Sequence, residues 1–249
     1  PAGYEHRKLI TLNSSQISGS TSHINFPVML KLTEADLKSS SNGGGIENPA
    51  GYDVIFTQSD GTTLLNHELQ NYTSSTGDLL CWVNIPSLSP TVDTDIYLYY
   101  GRSDIYTDQS DTTTWNSNYL GVWHLEDLTD AAGASTLTDH NTAVNASGYL
   151  GSAREFDGDG DDLEDLNGDV YLDGLSSISV SMWVKADAVG TDRGLFYGTE
   201  PDALDRRLML RQDAAGEKGG GTNVYRTSFL LGTNNKQRHE SSNGSATTN

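Results

Sequence analysis

Apolar residues recur at every second position over short stretches of this chain, and each stretch is closed by Pro, Gly, Ser or Asp. In residues 79–85 (LLCWVNI), Leu79, Cys81, Val83 and Ile85 share one side; in residues 95–100 (DIYLYY), Ile96, Leu98 and Tyr100 do the same. A repeat of two belongs to a strand with one face on a core and gives a helix no continuous apolar stripe. Residues 4–13, 24–32 and 52–57 read as strands as well, with Pro27 pointing to an edge or bulge. The Ser59-Asp60-Gly61 turn predicts that 62–70 returns as a hairpin partner of 52–57, and residues 33–37 could form one helical turn. Short strands with turns at regular intervals read as an all-β sandwich.

The second constraint is charge. Between positions 157 and 173 stand Asp157, Asp159, Asp161, Asp162, Glu164, Asp165, Asp169 and Asp173, with no Lys or Arg among them. Carboxylates so crowded need a counter-ion, open water or both. Hard oxygen ligands in a Gly-rich loop suit Ca²⁺ better than Mg²⁺, which keeps its waters; the alternative is a solvated acidic loop. The calcium helix-loop-helix spacing fails, because its turn glycine would be Asp162 and its bidentate Glu would be Gly168. Residues 178–185 alternate Ile178, Val180, Met182 and Val184 with polar or large partners, so the metal expectation is a loop between strands.

Whole-chain properties exclude several functions. A formal net charge of −19 over 249 residues argues against nucleic acid, whose phosphates require clustered Lys and Arg. No run approaches the roughly 20 apolar residues of a membrane span, so no membrane insertion is expected. The single cysteine, Cys81, forbids an intrachain disulfide and reads as a buried structural thiol, because no His or cation neighbours it in the sequence. Asn-x-Ser/Thr acceptors at Asn13, Asn71, Asn145 and Asn243 permit glycosylation of an exported protein. A start at Pro1 rather than Met is expected from processing or from a boundary cut within a longer chain.

Two resemblances follow from ordered motifs. Arg7-Lys8-Leu9-Ile10-Thr11, Asp53-Val54-Ile55-Phe56-Thr57, Asp60-Gly61-Thr62, Trp82-Val83, Ile85-Pro86 and Ile96-Tyr97-Leu98-Tyr99-Tyr100-Gly101 together resemble an uncharacterised domain of exported bacterial and archaeal surface proteins. That resemblance implies a β-sandwich over 1–101 and a cell-surface, extracellular location. Residues 102–118 are polar and read as a linker. Val122-Trp123-His124-Leu125, Asp139 with Asn141, Gly148-Tyr149-Leu150-Gly151, Phe156-Asp157-Gly158 with Asp161-Asp162, and the 178–185 alternation resemble a laminin-G-like module of the concanavalin-A-like lectin and glucanase superfamily. It implies a second sandwich, a jelly roll over 119–249, frequently with one calcium. Carried over, the metal ligands are Asp157, Asp161 or Asp162, and Asp139 or Asn141, with Asp159 an extra acid. The polar stretch 236–249 stands where that family would continue, so late strands are expected from further chain or from a neighbour by β-augmentation.

No catalyst is legible. The chain lacks a Gly-x-Ser-x-Gly elbow and a His-Glu-x-x-His motif, its six His are scattered, and Asp161-Asp162-Leu163-Glu164-Asp165 does not reproduce the glucanase acid motif. His124, on an apolar stretch, reads as structural. Trp115, Trp123, Trp183, Tyr149, Tyr171 and Tyr197 could form a stacking platform for sugar, though Trp123 and Trp183 are expected in a core. The expectation is a non-catalytic, calcium-stabilised adhesion or carbohydrate-binding module pair, whose partner is a glycan or a neighbouring surface protein. The alternatives are a self-assembling structural subunit of a filament or surface layer, and an accessory domain of a secreted polysaccharide-degrading enzyme.

Overall fold

The computed structural model describes residues 1–133, 135–141, 143–168, 175–185, 193–200, 203–213, 224–231 and 236–240. Its regular structure is β, joined by short 3-10 turns, with antiparallel strand pairing. The all-β class read from the alternation is the class observed. The chain divides into two units, Pro1–Asp165 and Leu166–Asn249.

The first unit opens with β1 (His6–Leu12), β2 (His23–Thr33) and β3 (Ile55–Gln58). After the Asp60 turn the chain splits into β4 (Leu64–Leu65) and β5 (His67–Thr73), and β6 (Asp78–Leu88) and β7 (Thr94–Tyr100) follow. One sheet has the order β1-β7-β3-β4 and the other β2-β6-β5. The expected hairpin return is therefore shared between sheets: only Leu64 and Leu65 pair with β3, while His67 onward pairs with β6. Two residues satisfy the turn, and the apolar inner face of β6 takes the rest. Pro27 lies on β2, an edge strand, as its missing N–H requires.

The alternation in the sequence is the packing of the core. Leu79, Cys81, Val83 and Ile85 of β6 meet Ile96, Leu98 and Tyr100 of β7, Phe56 of β3 and Leu30 of β2 in one cluster. Burial pushes the Cys81 thiol up, so it stays protonated and unreactive. Just before β3, Asp53 is fully buried. Its carboxylate accepts from the N–H groups of Glu47 and Asn48 at 2.9 Å, Gly101 at 2.9 Å and Arg102 at 3.2 Å. Gly101 has φ +86°, and a Cβ there would lie 2.8 Å from the His6 ring. Only glycine turns the chain out of β7 toward Asp53.

Residues 102–118, expected as a linker, are bonded along the first sandwich. Asn48 Nδ2 donates to Ile105 O at 3.0 Å, Asp111 N to His67 O at 2.9 Å, and Leu69 N to Ser110 Oγ at 2.9 Å. A polar sequence looks like a linker when its hydrogen-bond partners are far away in the chain. Beyond it stand β8 (Thr138–His140), β9 (Val144–Ser147), β10 (Ser152–Glu155) and β11 (Asp162–Glu164), paired as β9 with β10 and β8 with β11. Residues 119–125, which read as strand, are irregular.

The second unit contains an antiparallel meander of β12 (Arg193–Glu200), β13 (Ala203–Asp213), β14 (Val224–Leu231) and β15 (Lys236–Glu240). The polar stretch from Lys236 supplies its last strand. Residues 178–185 are not a strand, and Val180, Met182, Trp183 and Val184 are exposed. Alternation marks a strand only where a partner strand offers its hydrogen bonds.

Asp53→Ala leaves four amides unanswered in the core; a loss of about 3 kcal/mol or more in chemical denaturation is expected, with Asp53→Asn between it and wild type. Cys81 should resist a thiol reagent in the folded protein and react on unfolding.

Candidate functional site

Two places gather chemistry-bearing side chains. The first is the acidic turn between β10 and β11. Asp162 stands opposite His140, Leu163 opposite Asp139 and Glu164 opposite Thr138. This register brings Asp139 and Asn141 to the acidic turn. Gly158 and Gly160 take φ +86° and +87°, and Asn141 takes +65°. The turn holds itself through its carboxylates: Asp157 N donates to Asp161 Oδ2 at 2.9 Å, and Asp159 N to Asp157 Oδ1 at 2.7 Å. Asn141 Nδ2 clamps the Asp159 carbonyl at 2.6 Å, and Asp139 Oδ1 accepts from Ala143 N at 3.0 Å. His140 Nε2 lies 2.9 Å from Glu164 Oε2.

The donor set is all oxygen and suits a hard cation. One atom favours such an occupant: Asp161 Oδ1 is shielded from water and has no hydrogen-bond partner. A shielded carboxylate oxygen without a donor is costly unless a cation meets it. Among the described residues, no three His, Cys, Asp or Glu side chains converge closely enough to enclose an ion. Asp157, Asp159 and Asp162 are exposed, and Asp169 and Asp173 lie outside the described residues.

The second place is the outer face of β5 and β6, opposite the core. Alternation puts Leu80, Trp82 and Asn84 of β6 there, and Glu68 stands opposite Trp82. A bulge between Leu69 and Asn71 leaves Gln70 as the extra residue, whose Oε1 accepts from Trp82 Nε1 at 2.8 Å. Residues 110–126 cross this face. Asp111 caps a 3-10 turn (Thr112–Thr114) by accepting from Thr113 N at 2.8 Å; Asn84 Nδ2 donates to Thr114 O at 2.9 Å. Trp115 Nε1 donates to Glu68 Oε2 at 2.7 Å, and His124 Nε2 lies 3.1 Å from Glu68 Oε1. The Trp115 ring sits 5.0 Å from Trp82 and 5.1 Å from Tyr119. Glu126 follows, its carboxyl raised above the usual range by burial, with His124, Asn71 and Gln70 pulling the other way.

This arrangement settles part of the aromatic question. Trp115 is buried, His124 stacks on Trp82 and Trp115 is tilted against both, so this cluster packs the segment rather than offering a platform. Trp183, expected in a core, is 71% exposed, as is Tyr149 at 68%. Tyr171 lies outside the described residues, as does the Tyr197 side chain. The sequence reading named His124 as structural but missed its neighbour Glu68 and the Gln70 that holds Trp82; the one available signal was their alternation on a strand that pairs with Trp82. Of the glycosylation acceptors, Asn13, Asn71 and Asn145 are exposed, Asn13 also accepting from Ser15 N at 2.9 Å, and Asn243 lies outside the described residues.

Residues 50–137 match a family described as "Domain of unknown function (DUF2341)". No curated protein and no solved structure matches the chain. The matched stretch runs past Gly101, where the motif resemblance ended, and takes in the segment over β5 and β6 with Trp115, His124 and Glu126.

Glu126 supplies a pH test. An acid whose folded pKa is raised weakens the fold wherever it is ionised, and the penalty is relieved as pH falls through that folded value. Glu126→Gln should therefore raise the denaturation midpoint at neutral pH, and its advantage should shrink on acidification.

Proposed function

We propose that this chain is a non-catalytic, calcium-stabilised unit of an extracellular cell-surface protein that binds a glycan or a neighbouring surface protein. The observation that carries the calcium half is the shielded, unbonded Asp161 Oδ1 in an acidic turn that β8 and β11 hold against Asp139 and Asn141. Asp157, Asp161 and Asp162, with Asp139 and Asn141, are the residues that would hold the ion; Asp159 is the surplus acid. Bound there, calcium would neutralise carboxylates that hold the turn through main-chain amides. The surface location is supported by the resemblance of the 1–101 motifs to exported surface-protein domains, and the lectin-like role by the 119–185 motifs. Chelation should lower the melting temperature by about 5 °C or more, and Asp161→Ala should abolish that difference. An unchanged melting curve on chelation would remove calcium. A glycan array in calcium separates the binding partners: no retained glycan leaves the surface-protein partner.

A second reading, a self-assembling subunit of a filament or surface layer, is favoured by the exposed apolar run Val180, Met182, Trp183 and Val184. Ordered polymers in electron microscopy would select it, and a monomer at every concentration would dismiss it.

A further inference from the structure

We propose that the outer face of the β1-β7-β3-β4 sheet binds an acidic sugar unit, whose carboxylate pairs with Arg7 while its ring lies over Tyr97 and the exposed leucines beside it. This deepens the glycan half of the function proposed above and rests on that reading. Ile96, Leu98 and Phe56 face the core, so the side chains between them in sequence face outward in two rows. Leu9, Tyr97, Thr57 and Leu64 form one row across the four strands, and Arg7, Tyr99 and Ile55 form the next. Leu9 is 52% exposed and Leu64 62%, with Tyr97 half-buried and Thr57 buried between them. Neighbouring strands lie about 4.8 Å apart, so the first row spans roughly 14 Å of mainly aliphatic and aromatic surface. The C–H face of a sugar ring packs on such a surface.

Arg7 supplies the charge. Its guanidinium stands 4.9 Å from the centre of the Tyr97 ring, and Tyr99 and Tyr97 are the groups that act on it. Among the described residues no carboxylate pairs with Arg7, in a chain of 34 acidic residues against 15 Lys and Arg. Arg102 provides the contrast. It too lies over a tyrosine, 5.6 Å from the centre of the Tyr4 ring, but Asp104 closes it with contacts of 2.6 and 3.1 Å. Asp95, on the same face as Arg7, accepts from Thr11 Oγ1 at 2.6 Å, and Asp60, in the turn after β3, accepts from the N–H groups of Thr62 and Thr63 at 2.8 Å. These acids are answered by donors of their own. An exposed guanidinium fixed on an aromatic surface, with no acid from its own chain, fits a carboxylate that a ligand brings, gripped by two parallel N–H groups. The apolar row beside it favours a carboxylate carried on a ring with C–H faces, a uronic acid, over a bare anion.

The test is calorimetric titration of the full chain with tetrasaccharides of glucuronate, galacturonate and mannuronate, each beside its methyl ester, which keeps the ring and loses the charge. Wild type should bind at least one of the acids, its ester about tenfold more weakly or not at all, and the affinity should fall as salt rises. Arg7→Gln should lose about tenfold and Arg7→Lys less, both with the melting temperature of wild type, whereas Arg102→Gln should bind as wild type does. Leu9→Ser should weaken the sugar without changing its salt dependence. Equal binding of acid and ester, uronate binding unchanged in Arg7→Gln, or a tetraglutamate peptide binding as tightly as the sugar would overturn this site. A chain that retains other glycans on an array but no uronate keeps the glycan reading and loses the Arg7 site; a chain that retains none loses both.

Discussion

Asp53 is the constraint on which the first sandwich rests. A carboxylate with no exposure and, among the described residues, no ion pair is tolerated because four amides from two separate parts of the chain are aimed at it. Glu47 and Asn48 approach from the loop before β3, and Gly101 and Arg102 from the exit of β7. Strand β7 lies between β1 and β3, so fixing its end against Asp53 fixes the middle of that sheet. The core residues Phe56 and Leu98, opposite each other in register, follow from the same anchor.

The same device recurs where the chain is irregular. Asp130, also buried, accepts from Val122 N at 2.7 Å, Ala132 N at 2.9 Å and Ser135 N at 3.3 Å, organising a segment that has no strand of its own. At the surface, Thr62, Thr63 and the Thr63 hydroxyl hold the Asp60 carboxyl down to about 2, and Asp93 and Asp111 are lowered by Ser14 and Thr113 in the same way. Much of the acidity behind the charge of −19 is therefore spent on main-chain N–H groups. The acidic turn belongs to this pattern, since Asp157 and Asp161 hold its backbone. A cation and a set of amides compete for the same oxygens there, which is why Asp161 Oδ1, left over from that arrangement, matters more than the number of acids.

Covering the outer face of β5 and β6 is the other requirement. Edge strand β5 exposes its backbone groups, and residues 110–111 answer two of them before Trp115 closes the face. The cover is polar at its centre, through Glu68, Gln70 and His124.

Local pattern determined the class and most strands of the first sandwich. Residues 79–85 and 95–100 lie within β6 and β7 because their alternation, Cys81 included, matches a core with one buried side, and Pro27 marked an edge because it lacks an N–H. The pairing of β8 with β11 brings Asp139 toward the acidic turn. What periodicity could not carry were the long-range choices: β4 and β5 dividing between two sheets, residues 102–118 bonding to the sandwich, and the 178–185 alternation not forming a strand. Each depends on donors and acceptors far away in sequence, such as Asp53 with Gly101 or Glu68 with Trp115 and His124. The sequence by itself determined which faces are apolar, because that is a property of neighbouring residues; only the tertiary structure decided which polar groups meet, because a hydrogen bond requires two distant atoms to arrive within about 3 Å of each other.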